Sequence, residues 1–233
     1  MGKLIVIDGL DGCGKGTQVD ILCNKLCSLG YNAHKLSFPN YESLSSGPVR
    51  MLLNREIVDD PSILSPYLLS SFFAVDRGIQ YFKNFIHLYK SDTILLSDRY
   101  ISANIIYQGV RFRSNQEKIN FFKWVYDLEV NKLGIPLEDI TIALTLPPSV
   151  SRTLLNNRYS NSNGELDLYE QDLTFLENAR LNLDFACKVL PSLGYNWVRY
   201  ACSYENGTAT NITIKPIDEI SSDLLNMILK IIS

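Results

Sequence analysis

One stretch near the N-terminus decides the fold: Gly9-Leu10-Asp11-Gly12-Cys13-Gly14-Lys15-Gly16-Thr17. It follows the apolar run Leu4–Ile7 directly and opens a helical pattern that ends at Gly30. The spacing fits Gly-x-x-x-x-Gly-Lys, the phosphate-binding P-loop, in the strand–loop–helix context that gives this motif its meaning. The glycines let the backbone curl around an anion, while the helix N-terminus and Lys15 add positive charge. The whole stretch is therefore predicted to bind the phosphates of a nucleoside triphosphate.

The motif departs from its usual form at one position. Gly16 stands where Ser or Thr normally supplies a hydroxyl that contacts Mg²⁺, and Thr17 follows it. Glycine has no side chain to offer, so direct ligation from position 16 is not expected. We expect Mg²⁺ to be held through water, with Thr17 and the distant carboxylate Asp98 as the metal-site residues.

Five short apolar runs, typical of buried strands, alternate with longer helical patterns. The runs are Leu4–Ile7, Ala33–Phe38, Ile94–Ser97, Ile140–Leu146 and Trp197–Tyr200. The helical patterns are Lys15–Leu29, Ser65–Lys90, Asn115–Leu133, Ser149–Asn157, Asp172–Leu190 and Ile217–Ile232. This alternation favours an α/β fold of three layers, with a mostly parallel five-stranded sheet and helices on both faces. We expect a single domain over residues 1–233, with a short lid near residues 152–168.

The composition is that of an ordinary globular protein. The 233 residues are 46% hydrophobic and 20% charged, with a net charge of −3. This balance argues against a disordered chain and provides no general basic field for nucleic acid or anionic membranes. The five cysteines show no metal-binding spacing, and no apolar stretch reaches the ~18 residues of a membrane span. We therefore expect a reduced, cytoplasmic protein without nucleic-acid or membrane partners.

Further motifs accompany the predicted strands in a fixed order. Phe38-Pro39 follows the second strand, Asp98-Arg99-Tyr100 follows the third, and Phe72-Phe73-Ala74-Val75-Asp76-Arg77 lies between them. The carboxyl ends of parallel strands meet at one edge of a sheet, so these motifs are expected to converge near the P-loop. Together with a P-loop that carries Asp11, this ordered set resembles the thymidylate kinase family of P-loop nucleoside monophosphate kinases. The resemblance extends from Leu4 to about Asp184.

The resemblance implies ATP-dependent phosphorylation of dTMP to dTDP, a step of dTTP biosynthesis, by in-line transfer from Mg·ATP on the P-loop. It implies ATP as the phosphoryl donor, dTMP as the acceptor and Mg²⁺ as the cofactor. Members of the family are generally homodimers that pair through helices. The aromatic-rich segment Asn120–Tyr126 is a candidate dimer face, and packing of that segment on its own sheet is an equal alternative.

The resemblance assigns catalytic roles around the phosphates. Lys15 would reach the β- and γ-phosphates, and Arg99 would grip the acceptor phosphate, since a guanidinium fork suits phosphate oxygens. Asp98 resembles the carboxylate that orders water around Mg²⁺, and Asp11 the one that accepts a hydrogen bond from the deoxyribose 3′-hydroxyl. Plainer alternatives are a structural salt bridge for Arg99, pairing with Lys15 for Asp98, and a loop-stabilising turn for Asp11.

The resemblance also implies a pyrimidine pocket. Phe73 would stack on the base while Arg77, one helical turn further along, reaches its O4. Gln108 is placed to read the N3 edge and Tyr107 to crowd the 2′ position of the sugar, although an aromatic there is as often core packing. The full set of acceptor-site residues is Asp11, Phe38, Pro39, Arg50, Phe73, Arg77, Arg99, Tyr100, Ala103, Tyr107 and Gln108.

A further arginine over the γ-phosphate is expected for phosphoryl transfer. Gly12 and Cys13 occupy the variable P-loop positions and carry no charge. Arg158 and Arg152 flank the polar segment Asn156–Gly164, so the role is assigned to the lid, first to Arg158 and then to Arg152. Ordinary surface arginines are the alternative.

Two departures from the family's usual residues make the identity of the acceptor less certain to predict from the sequence. Tyr41 stands where family members commonly have Arg, and Ala103 stands where Ser is frequent. A kinase for another nucleoside monophosphate is therefore the main alternative. A P-loop regulatory switch would need Asn-Lys-x-Asp, and Asn131-Lys132-Leu133-Gly134 lacks the Asp. A kinase-like binding module would not need the intact Lys15 and Arg99.

Overall fold

The computed structural model describes residues 1–160, 172–204 and 212–232, and for residues 148 and 157–160 it describes the backbone alone. The strands in these ranges are β1 (Lys3–Gly9), β2 (Ala33–Ser37), β3 (Ile94–Asp98), β4 (Ile140–Thr145) and β5 (Trp197–Ala201). They form one sheet of order β2-β3-β1-β4-β5, and every neighbouring pair is parallel. The predicted five-stranded parallel sheet is confirmed.

Nine helices accompany the sheet in the described ranges. They are α1 (Lys15–Ser28), α2 (Gly47–Leu53), α3 (Pro66–Gln80), α4 (Ile86–Lys90), α5 (Ile101–Gln108), α6 (Asn115–Tyr126), α7 (Pro148–Ser160), α8 (Leu173–Val189) and α9 (Ile217–Ile232). Tyr81–Phe85 and Asp127–Lys132 are π-helical turns that extend α3 and α6. The sequence patterns had not predicted α2 or α5. No helix in these ranges has an apolar stretch long enough to cross a membrane.

Two apolar clusters lie on opposite faces of the sheet. Along β1, Leu4 and Val6 belong to one cluster, and Ile5 and Ile7 belong to the other, as the period of two in a strand requires. The first cluster includes side chains of α5, α6 and α8, and the second includes side chains of α1 and α9. The three-layer arrangement predicted from the sequence is therefore present.

The carboxyl ends of β1 and β3 lie side by side, because Ile7 pairs with Asp98 in the parallel register. The P-loop that follows β1 and the turn that follows β3 consequently open onto the same edge of the sheet. In open parallel sheets this edge is where ligands bind. The fold thus brings two distant sequence motifs together beside the central strand.

The polar segment after Pro39 is fastened to α3 by a buried carboxylate. The Asn40 backbone N–H donates to Asp76 Oδ2 at 3.1 Å, and the Ser45 hydroxyl donates to Asp76 Oδ1 at 2.5 Å. Gln80 adds a bond from its Nε2 to the Ser45 hydroxyl at 2.8 Å. These contacts hold the loop that carries Tyr41 beside the functional edge.

Candidate active site

The P-loop wraps the N-terminus of α1. Gly14 is the N-cap residue with φ of 87°, in the left-handed region that favours glycine, and no side chain caps the helix. The positive end of α1 is therefore directed at the interior of the loop, where it favours an anion. Gly12 also has a positive φ, and a Cβ there would lie 2.4 Å from the Ser151 carbonyl oxygen. The loop accordingly packs closely against α7.

Lys15 is held inside the loop by the oxygens of the loop itself. Its ammonium donates to the Gly9 carbonyl at 3.1 Å, the Leu10 carbonyl at 2.9 Å and Asp11 Oδ1 at 3.2 Å. Burial alone would lower the pKa of Lys15, but the Asp11 carboxylate outweighs it and the pKa is raised. Lys15 therefore remains a cation at neutral pH, positioned where phosphates would bind.

The Asp11 carboxylate pairs with both cations of the site, Arg99 and Lys15. Its Oδ1 accepts hydrogen bonds from Arg99 Nη2 and Lys15, and its Oδ2 accepts one from the Tyr107 hydroxyl at 2.8 Å. Burial alone would raise the pKa of Asp11, yet the Arg99 guanidinium and the Lys15 ammonium hold that pKa well below its usual range. The carboxylate is thus ionised and acts as an acceptor only.

Arg99 reaches Asp11 from an unusual backbone conformation. Its φ is 64°, which is uncommon for a residue with a Cβ, and its N–H donates to the Ile7 carbonyl at 3.1 Å. Outliers of this kind are concentrated at functional sites, because the surrounding structure must hold them in place. The Arg99 side chain is 25% exposed, so part of the guanidinium remains accessible to a ligand.

A second carboxylate, Asp8, lies behind the P-loop and is fully buried. Its Oδ1 accepts the Gly9 N–H at 2.7 Å, and its Oδ2 accepts the Ser102 hydroxyl at 2.5 Å. Burial raises the pKa of Asp8 despite the opposing charges of Lys15 and Arg99. Asp8 thereby joins the first residue of the P-loop to α5.

A cavity of about 580 Å³, the P-loop cavity, opens at the N-terminus of α1. Its lining residues are Asp11, Gly12, Gly14, Lys15, Gly16, Thr17, Asp20, Lys35, Asp98, Arg99, Leu154 and Leu155. Asp98 Oδ1 is buried and has no hydrogen-bond partner among the described residues. A Cβ at position 16 would lie 3.1 Å from Asp98 Oδ2, so this carboxylate adjoins the space that a Ser or Thr side chain normally takes.

A narrower cavity, the α5 cavity, adjoins the first. Its lining residues are Asp11, Tyr41, Leu53, Phe73, Arg99, Ala103, Asn104, Tyr107 and Gln108. Gln108 is 2% exposed, and its Oε1 has no hydrogen-bond partner in the described part of the chain, so it is an acceptor without a donor. The cavity volume is about 30 Å³, against about 580 Å³ for the P-loop cavity. A larger ligand must move the wall, and we expect it to yield at the 48% exposed Tyr41.

The two cavities share two residues, since Asp11 and Arg99 line both. A ligand in each cavity would therefore meet the other across this ion pair. With Lys15 beside them, the shared wall carries two cations and one anion, which favours phosphate groups on either side.

Comparison with known proteins identifies the family of this chain. The sequence profile described as "Thymidylate kinase" matches residues 7–187. The chain belongs to the thymidylate kinase family. A "Probable thymidylate kinase" of Caldivirga maquilingensis is 28% identical over 174 residues, which cover 75% of this chain and 75% of that protein. A "Thymidylate kinase" of Mycobacterium tuberculosis is 29% identical over 175 residues, which cover 72% of this chain and 78% of the relative.

The fold is also similar to that of a solved structure, thymidylate kinase from Candida albicans. The two align with a TM-score of 0.66 at 20% identity, over 100% of this chain and 94% of the other. This likeness establishes the P-loop kinase fold that the strand order and the P-loop had indicated.

The structure brings most of the predicted phosphate-binding residues of this family member to one cavity wall. The lining ones are Asp11, Gly12, Gly14, Lys15, Gly16, Thr17, Asp98 and Arg99. Gly9 and Leu10 contribute their carbonyls to Lys15 instead. The Cys13 side chain is 4% exposed within the apolar cluster around α1, and burial raises the pKa of its thiol to about 11. Only its backbone is available to a phosphate.

Several residues predicted for the acceptor site lie elsewhere. The rings of Phe38 and Tyr100 pack together in the core with centroids 5.7 Å apart, because burying both removes a large apolar surface from water. Pro39 is half-buried and does not line the α5 cavity. Arg50 is exposed on α2, outside that lining, and donates to the Tyr41 carbonyl at 3.1 Å.

Arg77 requires the largest correction. The prediction placed it in the pocket with Phe73, but its side chain is 1% exposed and forms a bidentate ion pair with Glu129, at 2.6 Å from both Nε and Nη2. A buried guanidinium needs such a partner, because an unpaired charge in the interior is strongly unfavourable. Asn104 lines the cavity instead, and its Nδ2 donates to Glu129 Oε1 at 3.0 Å.

Of the predicted lid, residues 152–168, the structure describes only residues 152–160, which belong to α7. Leu154 and Leu155 of α7 line the P-loop cavity, whereas Arg152, half-buried on the same helix, does not. The side chain of Arg158, and residues 161–168 of the predicted lid, lie outside the described residues.

Of the two alternatives for Asn120–Tyr126, packing on the chain's own sheet is the one that the structure shows for its buried apolar side chains. Phe121, Phe122, Val125 and Tyr126 are at most 2% exposed and pack in the chain's own core. Their apolar side chains cover the sheet face that α5 and α8 also cover.

Sequence reasoning had not assigned Asn104 to the site. It is 2% exposed and precedes Gln108 by four residues on α5, so the two side chains share a helix face. That spacing was the available signal, but α5 is too short to give a periodic pattern of its own.

Proposed function

We propose that this protein transfers the γ-phosphoryl group of ATP to dTMP, giving ADP and dTDP. The observation that carries the proposal is the meeting of the two cavities at Asp11 and Arg99. In-line transfer needs the donor and acceptor phosphates to face each other with water excluded, and a shared wall between two ligand cavities provides this arrangement. Membership of the thymidylate kinase family supports this pair of substrates.

In the proposed reaction a phosphate oxygen of dTMP attacks the γ-phosphorus of ATP. The bond from that phosphorus to the β–γ bridging oxygen breaks, and its electron pair leaves with ADP. The dTMP phosphate is largely ionised at neutral pH, so the reaction needs no general base. Lys15 neutralises charge on the β- and γ-phosphates, and the Arg99 fork binds the oxygens of the transferring or accepting group.

The ion pair between Arg99 and Asp11 is the contact that we expect the acceptor to rearrange. A dianionic phosphate competes with the Asp11 carboxylate for the guanidinium, which is already partly exposed. Asp11 Oδ1 is then free to accept the 3′-hydroxyl of deoxyribose. Tyr107, whose hydroxyl holds Asp11 Oδ2, lies where it would crowd a 2′-hydroxyl.

The base is proposed to enter the α5 cavity between Phe73 and α5. The unpartnered Oε1 of Gln108 would accept a hydrogen bond from the N3–H of thymine, which would satisfy a buried acceptor that otherwise has no donor. Asn104, in the same wall, is fixed by Ser70 and Glu129 through its Nδ2. Arg77 is proposed to act from behind this wall by holding Glu129, rather than by touching the base.

Mg²⁺ is proposed as the cofactor, and the residues present fit it. The orphaned, buried Oδ1 of Asp98 and the neighbouring Thr17 offer the oxygen ligands or water-mediated contacts that this hard cation prefers. Among the described residues no three His, Cys, Asp or Glu side chains form a metal site. This agrees with a cation held largely by phosphate oxygens and water. When bound, it would offset phosphate charge.

A homodimer is proposed through the outer face of α3 instead of α6. Val75, Ile79 and Phe82 are 43%, 44% and 55% exposed and border an apolar groove with Leu133. Exposed apolar patches of this kind mark interaction surfaces, and a second copy of the chain is the proposed occupant. Light scattering should show a dimer for the wild type and a monomer for Val75→Asp. Leu181→Asp, at a 51% exposed position of α8, should leave the dimer intact.

Three further expectations stay predictions. The cytoplasm is the proposed location, because all five cysteines are free thiols, as in a reducing compartment. A lid over residues 152–168 within a single domain remains a proposal, as does the absence of nucleic-acid partners.

ADP release from Mg·ATP tests the proposed function when a panel of monophosphates is supplied as acceptors. The panel holds dTMP, dUMP, dCMP, dGMP, AMP, CMP and UMP, with an ATP-only control. Turnover chiefly with dTMP is expected. Preference for another monophosphate would show that Tyr41 and Ala103 have changed the acceptor site, and ADP release without any acceptor would support a nucleotide switch.

A further inference from the structure

The ring of Tyr107 is held by groups from two different parts of the chain. The guanidinium carbon of Arg99 lies over it, 5.6 Å from the ring centroid. The ring of Phe175 stacks on it with centroids 6.4 Å apart and an interplanar angle of 18°. Tyr107 is 6% exposed, so its orientation is set by such contacts rather than by solvent.

Phe175 reaches Tyr107 from the first turn of α8. Asp172 caps that helix, and its Oδ1 accepts the N–H groups of Thr174 and Phe175 at 2.9 and 3.1 Å. Further along α8, Asn182 Nδ2 donates to the carbonyls of Ile105 and Ile106 on α5, at 2.7 and 3.0 Å. The stacking pair is therefore fixed on both sides by hydrogen bonds to backbone groups.

The orientation of Tyr107 matters because its two ends face different parts of the site. Its hydroxyl binds Asp11 Oδ2 at 2.8 Å, and the side chain also lines the α5 cavity. A tilt of the ring would lengthen the bond to Asp11 and widen the cavity at the position proposed for the sugar. Phe175 itself is absent from the lining of either cavity.

We propose that Phe175 is a positioning residue that fixes the plane of Tyr107 and so strengthens the preference for deoxyribose over ribose in the acceptor. This inference rests on the proposed function, because it takes the α5 cavity to be the nucleotide acceptor site. Phe175 acts through Tyr107 and does not touch the substrate. Aromatic recognition of the 2′ position then depends on the start of α8 as well as on α5.

The test compares Phe175→Leu with a matched variant on the same helix, Phe185→Leu. Phe185 is also partly buried and packs against Phe122 with an interplanar angle of 48°, and it lines neither cavity. For each protein, kcat/KM is measured with dTMP and with ribothymidine 5′-monophosphate, and thermal melting reports on folding. Dissociation constants for the two nucleotides are measured by calorimetry in the same proteins.

Phe175→Leu is expected to lower the deoxy-to-ribo ratio about three- to ten-fold, the effect of losing one aromatic pair. Phe185→Leu should leave the ratio within two-fold of the wild type, with a similar loss of melting temperature. Phe175→Tyr, which keeps the ring, should restore the ratio. An unchanged ratio in Phe175→Leu, or an equal fall in Phe185→Leu, would overturn the proposal.

Calorimetry separates this inference from the proposed function. If the wild type binds dTMP without phosphorylating it, the proposed function fails while the ratio of dissociation constants still decides the role of Phe175. If the wild type binds neither nucleotide, the α5 cavity is not the acceptor site and the role of Phe175 fails with it.

Discussion

Replacing Glu129 by Gln tests the buried ion pair that overturned the prediction for Arg77. The two side chains are 0% and 1% exposed and meet through two hydrogen bonds of 2.6 Å. Burial alone would lower the pKa of Arg77, but Glu129 outweighs it and the pKa is raised, so the guanidinium stays charged. Glu129→Gln keeps the volume and one acceptor oxygen while it removes the counter-charge.

The magnitude follows from the desolvation of the remaining charge. Breaking a buried ion pair by removing one partner costs about 3–5 kcal/mol, because the other charge is left in the interior without compensation. The amide oxygen of Gln still accepts one hydrogen bond, so we expect the lower end, about 3 kcal/mol of unfolding free energy. For a chain of this length that corresponds to a fall of about 6–12 °C in Tm.

Urea denaturation of the wild type, Glu129→Gln, Arg77→Met and the double variant Arg77→Met/Glu129→Leu measures the free energy of unfolding of each protein. The double variant should be more stable than Glu129→Gln, because neither charge is then buried. Recovery will be incomplete, since Asn104 loses one of its two acceptors and keeps the Ser70 carbonyl. A loss below about 1 kcal/mol in Glu129→Gln, the range of an exposed pair, would refute the reasoning.

Three further predictions concern the site. Lys15→Met should lower kcat about 10²- to 10³-fold in steady-state assays, because a cation aimed at developing charge is lost, while circular dichroism should show that the variant still folds. The pKa of Asp11 is lowered in the fold, so the free energy that this carboxylate contributes to folding is present above its ordinary pKa of 3.8 and is lost as the pH falls through the folded value. Between these pH values the free energy of unfolding should therefore fall less in Asp11→Asn than in the wild type, as measured by urea denaturation at a series of acid pH values. Gln108→Leu should lower kcat/KM for dTMP about 5- to 100-fold and leave the Kd of ATP unchanged, measured by calorimetry.

The local patterns of the sequence predicted the sheet and the P-loop correctly, because each depends on neighbouring residues. Apolar runs bounded by turns mark β1 through β5, and the structure keeps each strand within a residue or two of its run. Lys15 follows its glycines at fixed spacing, so the backbone carries it to the wall of the P-loop cavity. Asp11 and Arg99 were placed together by the rule that parallel strands end at one edge.

Contacts between distant segments explain what the sequence could not predict. Phe73 and Arg77 are four residues apart on α3, which favoured one shared pocket, but the partner of Arg77 is Glu129, 52 residues away in a π-helical turn. The local sequence pattern around Arg77 does not predict that ion pair. Asp8 likewise finds Ser102 across 94 residues.

Aromatic residues were the other source of error. Phe38 was assigned to the acceptor site, and the α6 segment was left open between a dimer face and the core, because rings recur at all these kinds of site. Their burial shows that they fill the core, whereas the exposed Val75 and Ile79 lie on α3 and the exposed Phe82 lies in the π-helical turn that follows it. Amino-acid type alone does not distinguish an aromatic ring in the core from one at an interface. The distinction depends on whether another element of the same chain packs against the ring.

The most direct test of the central claim, that both cavities serve one reaction, uses thymidine and adenosine joined by an oligophosphate chain. Calorimetry should show one molecule bound per chain, more tightly than ATP or dTMP, because both binding energies are combined in one ligand. ATP and dTMP should each compete with it, and Lys15→Met and Gln108→Leu should each weaken it. Competition by ATP alone, with no effect of Gln108→Leu, would contradict the account.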